Sequence, residues 1–300
     1  MILFQIVATI IGCVVVIKGQ DPANSVTSSS TPAPDWNYEH PTEWKEHFSS
    51  CGGAHQSPIN LNLSQAIAED YPRFHFHNYD RVFPEMVTNN GHTVMMRLGS
   101  NQNRTTEEDL PFINGGGLSG RFNFFQLHFH WGKDPMRGSE HLLNDWQYSA
   151  ELHMVHYNAK YGSFNEAVPH PDGLAVLGIV MELEARDNIA FRHLEHFDDI
   201  VNPDANKNST LSYSIPLVDL LPDRTGSFYR YNGSLTTPGC NEDVIWTIFD
   251  TPIGISERQL RILRKLHDTQ GHEMENNFRP VQELHDRVLT YRPEDRNLDE

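Results

Sequence analysis

Residues 2–17 are almost entirely apolar and stop at Lys18-Gly19-Gln20. A run of about 15 residues is short for a bilayer span, and its length and position predict a signal peptide over residues 1–19. Residues 20–34 turn to Ser, Thr and Pro and read as a flexible linker. Beyond it, runs rich in aromatic, Val, Ile or His residues dominate, at 87–98, 122–131, 147–157, 174–183 and 244–249. These predict strands, separated by turn signals such as Gly115-Gly116-Gly117 and Pro171-Asp172-Gly173. Helical spacing is rarer. Ser256-x-x-Gln259 is a capping-box pattern, followed by Leu260, Leu263 and Leu266 on one face. In 188–200, Leu194, Phe197 and Ile200 recur every third residue. With no internal repeat and no linker-like break, the pattern predicts one domain over 35–292, a large sheet with short peripheral helices. An acidic tail, 293–300, follows, and no apolar segment after it suggests a transmembrane or lipid anchor.

Composition narrows the setting. The 300 residues are 38% hydrophobic and 21% charged, which suits a soluble globular chain. A formal net charge of −17 disfavours nucleic acid and anionic membranes as partners, and leaves a small neutral substrate open. Of three cysteines, Cys13 falls in the leader. Cys51 and Cys240 either form one bridge in an oxidising compartment or stand as two separate thiols. N-x-Ser/Thr sequons at Asn62, Asn103, Asn208 and Asn232 join the leader in pointing to a secreted, extracellular protein.

The candidate chemistry lies in 126–132 and 150–156. Side chains alternate between faces of a strand, so Gln126, His128 and His130 share one face, as do Glu151, His153 and Val155. Three imidazoles with a fourth position left for water make a catalytic zinc arrangement. Gln126 and Glu151 are residue types that can fix the tautomer of a ligating imidazole. A second H-x-H, His75-Phe76-His77, lacks such companions and reads as non-metal. No H-E-x-x-H metalloprotease motif occurs.

These residues carry a resemblance to the α-class carbonic anhydrases, nearest to the secreted and extracellular type. It covers nearly all of 35–292. The matching motifs include Trp36-Asn37-Tyr38, Gln56-Ser57-Pro58-Ile59-Asn60, Asn89-Asn90-Gly91-His92, 126–132, Gly138-Ser139-Glu140-His141, 150–156, 173–178, 233–238 and Phe278-Arg279-Pro280. The resemblance implies an α+β, sheet-dominated single domain with a mostly antiparallel twisted central sheet. It implies reversible hydration of CO2 to bicarbonate and a proton, by attack of zinc-bound hydroxide, and sensitivity to sulfonamides. His128, His130 and His153 become the Zn2+ ligands. Thr236 and Glu140 orient the nucleophile, and Glu140 is expected to be ionised through the hydrogen bonds it accepts. Val155, Val176, Leu235, Thr237 and Trp246 form the substrate pocket. His92 is the proton shuttle, with Tyr38 and Asn90 ordering its water path. Cys51 and Cys240 pair as a disulfide, and Ser57-Pro58 is a cis peptide. Two departures stand out. Pro238-Gly239 replaces a frequent double proline, which is expected to loosen that loop, and Met95 stands where some members carry a polar residue. The competing reading is a catalytically silent relative serving as a binding or matrix protein.

Overall fold

Leu174 to Met181 are buried without alternation, the pattern of a strand covered on both faces. The strand Leu174–Glu184 is the middle of the molecule in the computed structural model, which describes residues 35–99, 107–204, 209–210 and 215–295. The leader, the linker, Asn103, Asn208 and residues 296–300 of the tail lie outside the described residues. On one side Leu174–Glu184 pairs antiparallel with Ala150–Asn158, which pairs antiparallel with Phe122–Trp131. On its other side Val244–Phe249 and Ile253–Ser256 both run parallel to it. Thr290–Arg292 is also parallel to Ile67–Ala68. The 13-stranded sheet of the described residues is therefore mixed, not mostly antiparallel as expected. Parallel neighbours need a crossover and cover on both faces. The unbroken apolar run at 174–181 is the sequence trace of that cover.

Alternation sorts side chains into two cores. Leu127, Phe129, Leu152, Met154 and Leu177 enter the larger, where Leu260, Leu263 and Leu266 also pack. Val155, Val176, Val180, Tyr231 and Trp246 enter a smaller one on the other face, which also carries Gln126, His128 and His130. The Glu257–Arg264 helix starts at the anticipated capping box, with both reciprocal bonds made between Ser256 and Gln259. Ile189–Ile200 is a 3-10 helix broken at Phe191. At three residues per turn, Leu194, Phe197 and Ile200 fall on one side, and all are buried.

The run at 87–98 is two strands, Glu85–Asn89 and Val94–Leu98. The turn between them has Gly91 at φ 84°, and Asn90 Oδ1 accepts from the backbone N–H of His92 and of Thr93, both at 2.9 Å. His92 is thereby placed on a turn beside the sheet face that carries the histidines. His75 and His77 lie on Phe74–His77, where His77 stacks on Phe112 at 4.1 Å. Neither joins a group of metal-ligating side chains among the described residues.

Candidate metal centre

The register sets His153 opposite His128, Glu151 opposite His130, and Val155 opposite Gln126. Directly opposed residues of an antiparallel pair share a face, so all six project together. His130 Nε2 lies 3.1 Å from His153 Nδ1, which lies 3.3 Å from His128 Nε2. The far nitrogens each meet an oxygen. His128 Nδ1 is 3.0 Å from Gln126 Oε1, His130 Nδ1 is 2.8 Å from the Asn277 carbonyl, and His153 Nε2 is 2.7 Å from Glu151 Oε1. An amide, carbonyl or carboxylate oxygen only accepts, so each far nitrogen carries the proton. The three inner nitrogens then present lone pairs to one another. Protonation does not relieve this, because burial pushes all three imidazoles below their ordinary pKa, His130 to about 3. A group of neutral, converging lone pairs fits a soft-to-borderline divalent cation with one coordination position left open, and these three side chains could hold a metal ion.

Glu151 anchors more than His153. It accepts from the backbone N–H of Glu140 and of His141 at 2.9 and 2.8 Å, and from His141 Nδ1 at 2.7 Å. Burial alone would raise its pKa, but His141 and His153 bring it well below the usual carboxylate range. Gly178 stands opposite His153 on the next strand, and a Cβ there would sit 3.2 Å from Glu151 Oε1 and collide with Ile248. His141 Nε2 continues to Tyr231 Oη at 2.7 Å, which donates to Ser57 Oγ at 2.8 Å.

Glu140 is fully buried beside the histidines. Its Oε1 accepts from the Arg279 backbone N–H at 2.8 Å, and its Oε2 lies 3.5 Å from His130 Nε2. Burial pushes its pKa well above the ordinary value, against the opposing pull of the Arg279 N–H and the Thr236 hydroxyl. The expected ionised carboxylate is thus not secured by these donors alone. A divalent cation held beside it acts in the same sense as they do.

The cavity over the three imidazoles is lined by Val155, Val176, Leu235, Trp246, Thr236 and Thr237, with Gln126, Asn90 and His92. Val155, Val176 and Trp246 form one lateral row across three strands. Trp246 also meets the His153 ring edge-on, 4.7 Å between centroids. Met95, Trp36, Thr93 and Phe164 complete the lining. Met95 pairs with His128 in register and puts an apolar side chain beside a ligand candidate. Tyr38 lines a neighbouring cavity that His92 also borders, and its buried hydroxyl is under the electrostatic influence of Glu140 and Arg279.

Cys51 and Cys240 are disulfide-bonded, and Ser57-Pro58 is cis. Gly239 has φ 105°, a conformation that neither proline nor another L-residue adopts without strain. Cys240 N donates to the Thr237 carbonyl at 2.9 Å, and Leu235 N to the Asn241 carbonyl at 3.0 Å. Glycine at 239 therefore serves a closed turn beside Thr236 and Thr237, not slack in the loop. Of the two described sequons, Asn62 is half-buried and accepts from Ser64, while Asn232 is exposed.

Two contributors left no mark of their own in the sequence. Asn277 offers its backbone carbonyl to His130 while its side chain binds the Trp131 N–H and the carbonyls of His92 and Phe129. Arg279 reaches Gln56, Ser57 and Cys51 with its guanidinium while its backbone N–H holds Glu140. Arg279 stands in a motif, but nothing in its residue type announces that link.

The family model for eukaryotic-type carbonic anhydrases matches residues 39–293. The chain is 38% identical to carbonic anhydrase 15 of Mus musculus over 291 residues, 91% of this chain and 86% of that protein. It is 37% identical to carbonic anhydrase 12 of Homo sapiens over 283 residues, 87% of this chain and 75% of that protein. Carbonic anhydrase 4 of Oryctolagus cuniculus is 37% identical over 255 residues, 83% of this chain and 78% of that protein.

Proposed function

Because the chain belongs to the eukaryotic-type carbonic anhydrase family, we propose that it is an active enzyme that hydrates CO2 reversibly to bicarbonate and a proton. The observation that carries this reading is the set of three inward lone pairs on neutral imidazoles, each fixed from behind by an oxygen acceptor. Zinc held by His128, His130 and His153 would supply a hydroxide nucleophile near neutral pH by lowering the pKa of a water to about 7, a magnitude established on carbonic anhydrase itself.

The remaining tasks fall to the chain. CO2 is apolar, and Val155, Val176, Leu235 and Trp246 give it an apolar wall. Glu140 Oε1 is occupied by the Arg279 N–H, so Oε2 is the atom left to accept from Thr236. A threonine hydroxyl committed as donor to Glu140 turns its lone pairs toward the nucleophile and fixes its direction. Glu140→Gln should lower kcat/KM by about 10²-fold through lost orientation, with zinc content retained. Stopped-flow hydration and metal analysis on one sample check this, and an unchanged kcat/KM removes Glu140 from the role.

His92 is the group that carries the proton away from the cavity, with Asn90 and Tyr38 ordering water beside it. In the observed pose it stacks on Trp36, and burial lowers its pKa to about 4. Since that is below the ordinary 6.5, a proton on the stacked ring is given up at neutral pH. His92→Ala should slow turnover by about 10²-fold in weak buffer, and small imidazole buffers should restore it. Turnover that ignores buffer in both proteins would exclude His92 as shuttle.

The catalytic unit is residues 35–292. The Cys51–Cys240 bridge supports an oxidising, extracellular destination for it, consistent with a leader at 1–19 and glycosylation at exposed Asn232. No helix among the described residues is long and apolar enough to cross a membrane. A metal centre beside an apolar wall also supports inhibition by aromatic sulfonamides.

A further inference from the structure

We infer that the proton leaves this enzyme through a second cavity, on the far side of His92 from the metal centre, with Asp268 and His272 receiving it before solvent. The inference rests on the proposed shuttle role of His92 and adds where the proton goes next.

His92 lines two cavities. One lies over the three imidazoles. The other, about 400 Å³, is lined also by Tyr38, Glu39, Asp268, His272 and Glu273, and a space of that size holds several waters. His92 is therefore common to the linings of both. It is held there by stacking on Trp36, ring centroids 3.7 Å apart and 8° from parallel. Its backbone carbonyl accepts from Asn277 Nδ2 at 3.1 Å, and the carbonyl of the same Asn277 holds His130. One asparagine thus sets the position of a ligand candidate and of the shuttle. Among the described residues, neither ring nitrogen of His92 is hydrogen-bonded to the protein, so both remain for water.

The second cavity suits proton release. Its charged lining is Glu39, Asp268, Glu273 and Glu275, with His272 and no Lys or Arg. Two groups act on His92 electrostatically, Asp35 from the N-terminal segment and Asp268 from the loop after the Glu257–Arg264 helix, and both favour its protonated form. Burial opposes them and prevails, which makes the ring a donor in this pose. Asp268 Oδ1 accepts from the backbone N–H of Gln270 and of His272, both at 2.9 Å. Its Oδ2 lies 3.9 Å from His272 Nδ1, and the His272 side chain is 70% exposed. A proton taken up by His92 from water over the imidazoles passes from the other ring nitrogen to cavity water. From there it passes to Asp268 or His272, and then to buffer. One proton enters the imidazole and one leaves it.

Oxygen-18 exchange between CO2 and water tests this, because it reads the CO2–bicarbonate interconversion rate and the proton-limited release of labelled water separately. His272→Gln changes an exposed side chain, and Asp268→Asn keeps the Oδ1 acceptor of the loop. The double variant should slow the release step by about 10-fold, less than the 10²-fold of the primary proton-transfer group, and leave interconversion as it was. Asp223→Asn, an equal charge change on an exposed loop elsewhere, should alter neither rate. If the double variant releases label at the wild-type rate while His92→Ala is slow, the second-cavity route is wrong and the shuttle stands. If His92→Ala also releases label at the wild-type rate, the shuttle reading falls, and this one with it.

Discussion

His153→Ala should abolish zinc binding and CO2 hydration together. Its Nδ1 faces both other imidazoles, at 3.1 Å from His130 Nε2 and 3.3 Å from His128 Nε2, so its removal opens the cluster at its centre. Substituting a residue that merely supports a metal ligand costs roughly 10- to 100-fold in affinity or activity. Loss of the ligand itself should exceed the upper end of that range. The fold should survive. Glu151 keeps the N–H groups of Glu140 and His141 and the His141 imidazole, so its buried charge is not abandoned. Metal analysis and stopped-flow hydration give the answer, with circular dichroism to show that the variant is folded. A folded variant that retains both zinc and full activity is incompatible with the ligand assignment.

Opening the Cys51–Cys240 bridge should be the largest stability change. The bridge spans a sequence separation of 189 residues. In the chain-entropy account, closing a loop of that length stabilises by up to about 5 kcal/mol. For a domain of this size that is a fall in Tm of roughly 10–20 °C. Activity should fall as well, for a local reason. Cys240 follows the turn that carries Thr236 and Thr237, and the Cys51 carbonyl accepts from Arg279, whose backbone N–H positions Glu140. Zinc affinity should change less, because the three histidines stand on paired strands in the interior of the sheet. Denaturant unfolding of oxidised and reduced protein, each with its zinc content, checks the set. Equal midpoints would show that the bridge contributes nothing.

Much of the metal centre was legible because it depends on strand alternation, which sequence carries directly. Gln126, His128 and His130 share a face by spacing alone, and so do Glu151, His153 and Val155. The row from Val155 through Val176 to Trp246 depends on register between residues 21 and 70 positions apart, which periodicity does not encode. Family resemblance supplied it. The mixed sheet escaped for a related reason. The apolar run at 174–181 marks a strand in the sequence, but not that it is covered on both faces or which later strand runs beside it. Asn277 escaped because it holds His130 through a backbone carbonyl, a group every residue has. Glycine in place of a second proline at 239 suggests slack, whereas its φ of 105° shows a turn that needs glycine. In each case the missing information was long-range pairing or backbone geometry, not residue chemistry.

The most direct test of the central claim is stopped-flow CO2 hydration on the purified chain, with zinc content measured on the same sample before and after chelation. Zinc should be stoichiometric, hydration should disappear as zinc is removed, and it should recover when zinc alone is returned. Full hydration by zinc-free protein, or none by protein loaded with zinc, would contradict it.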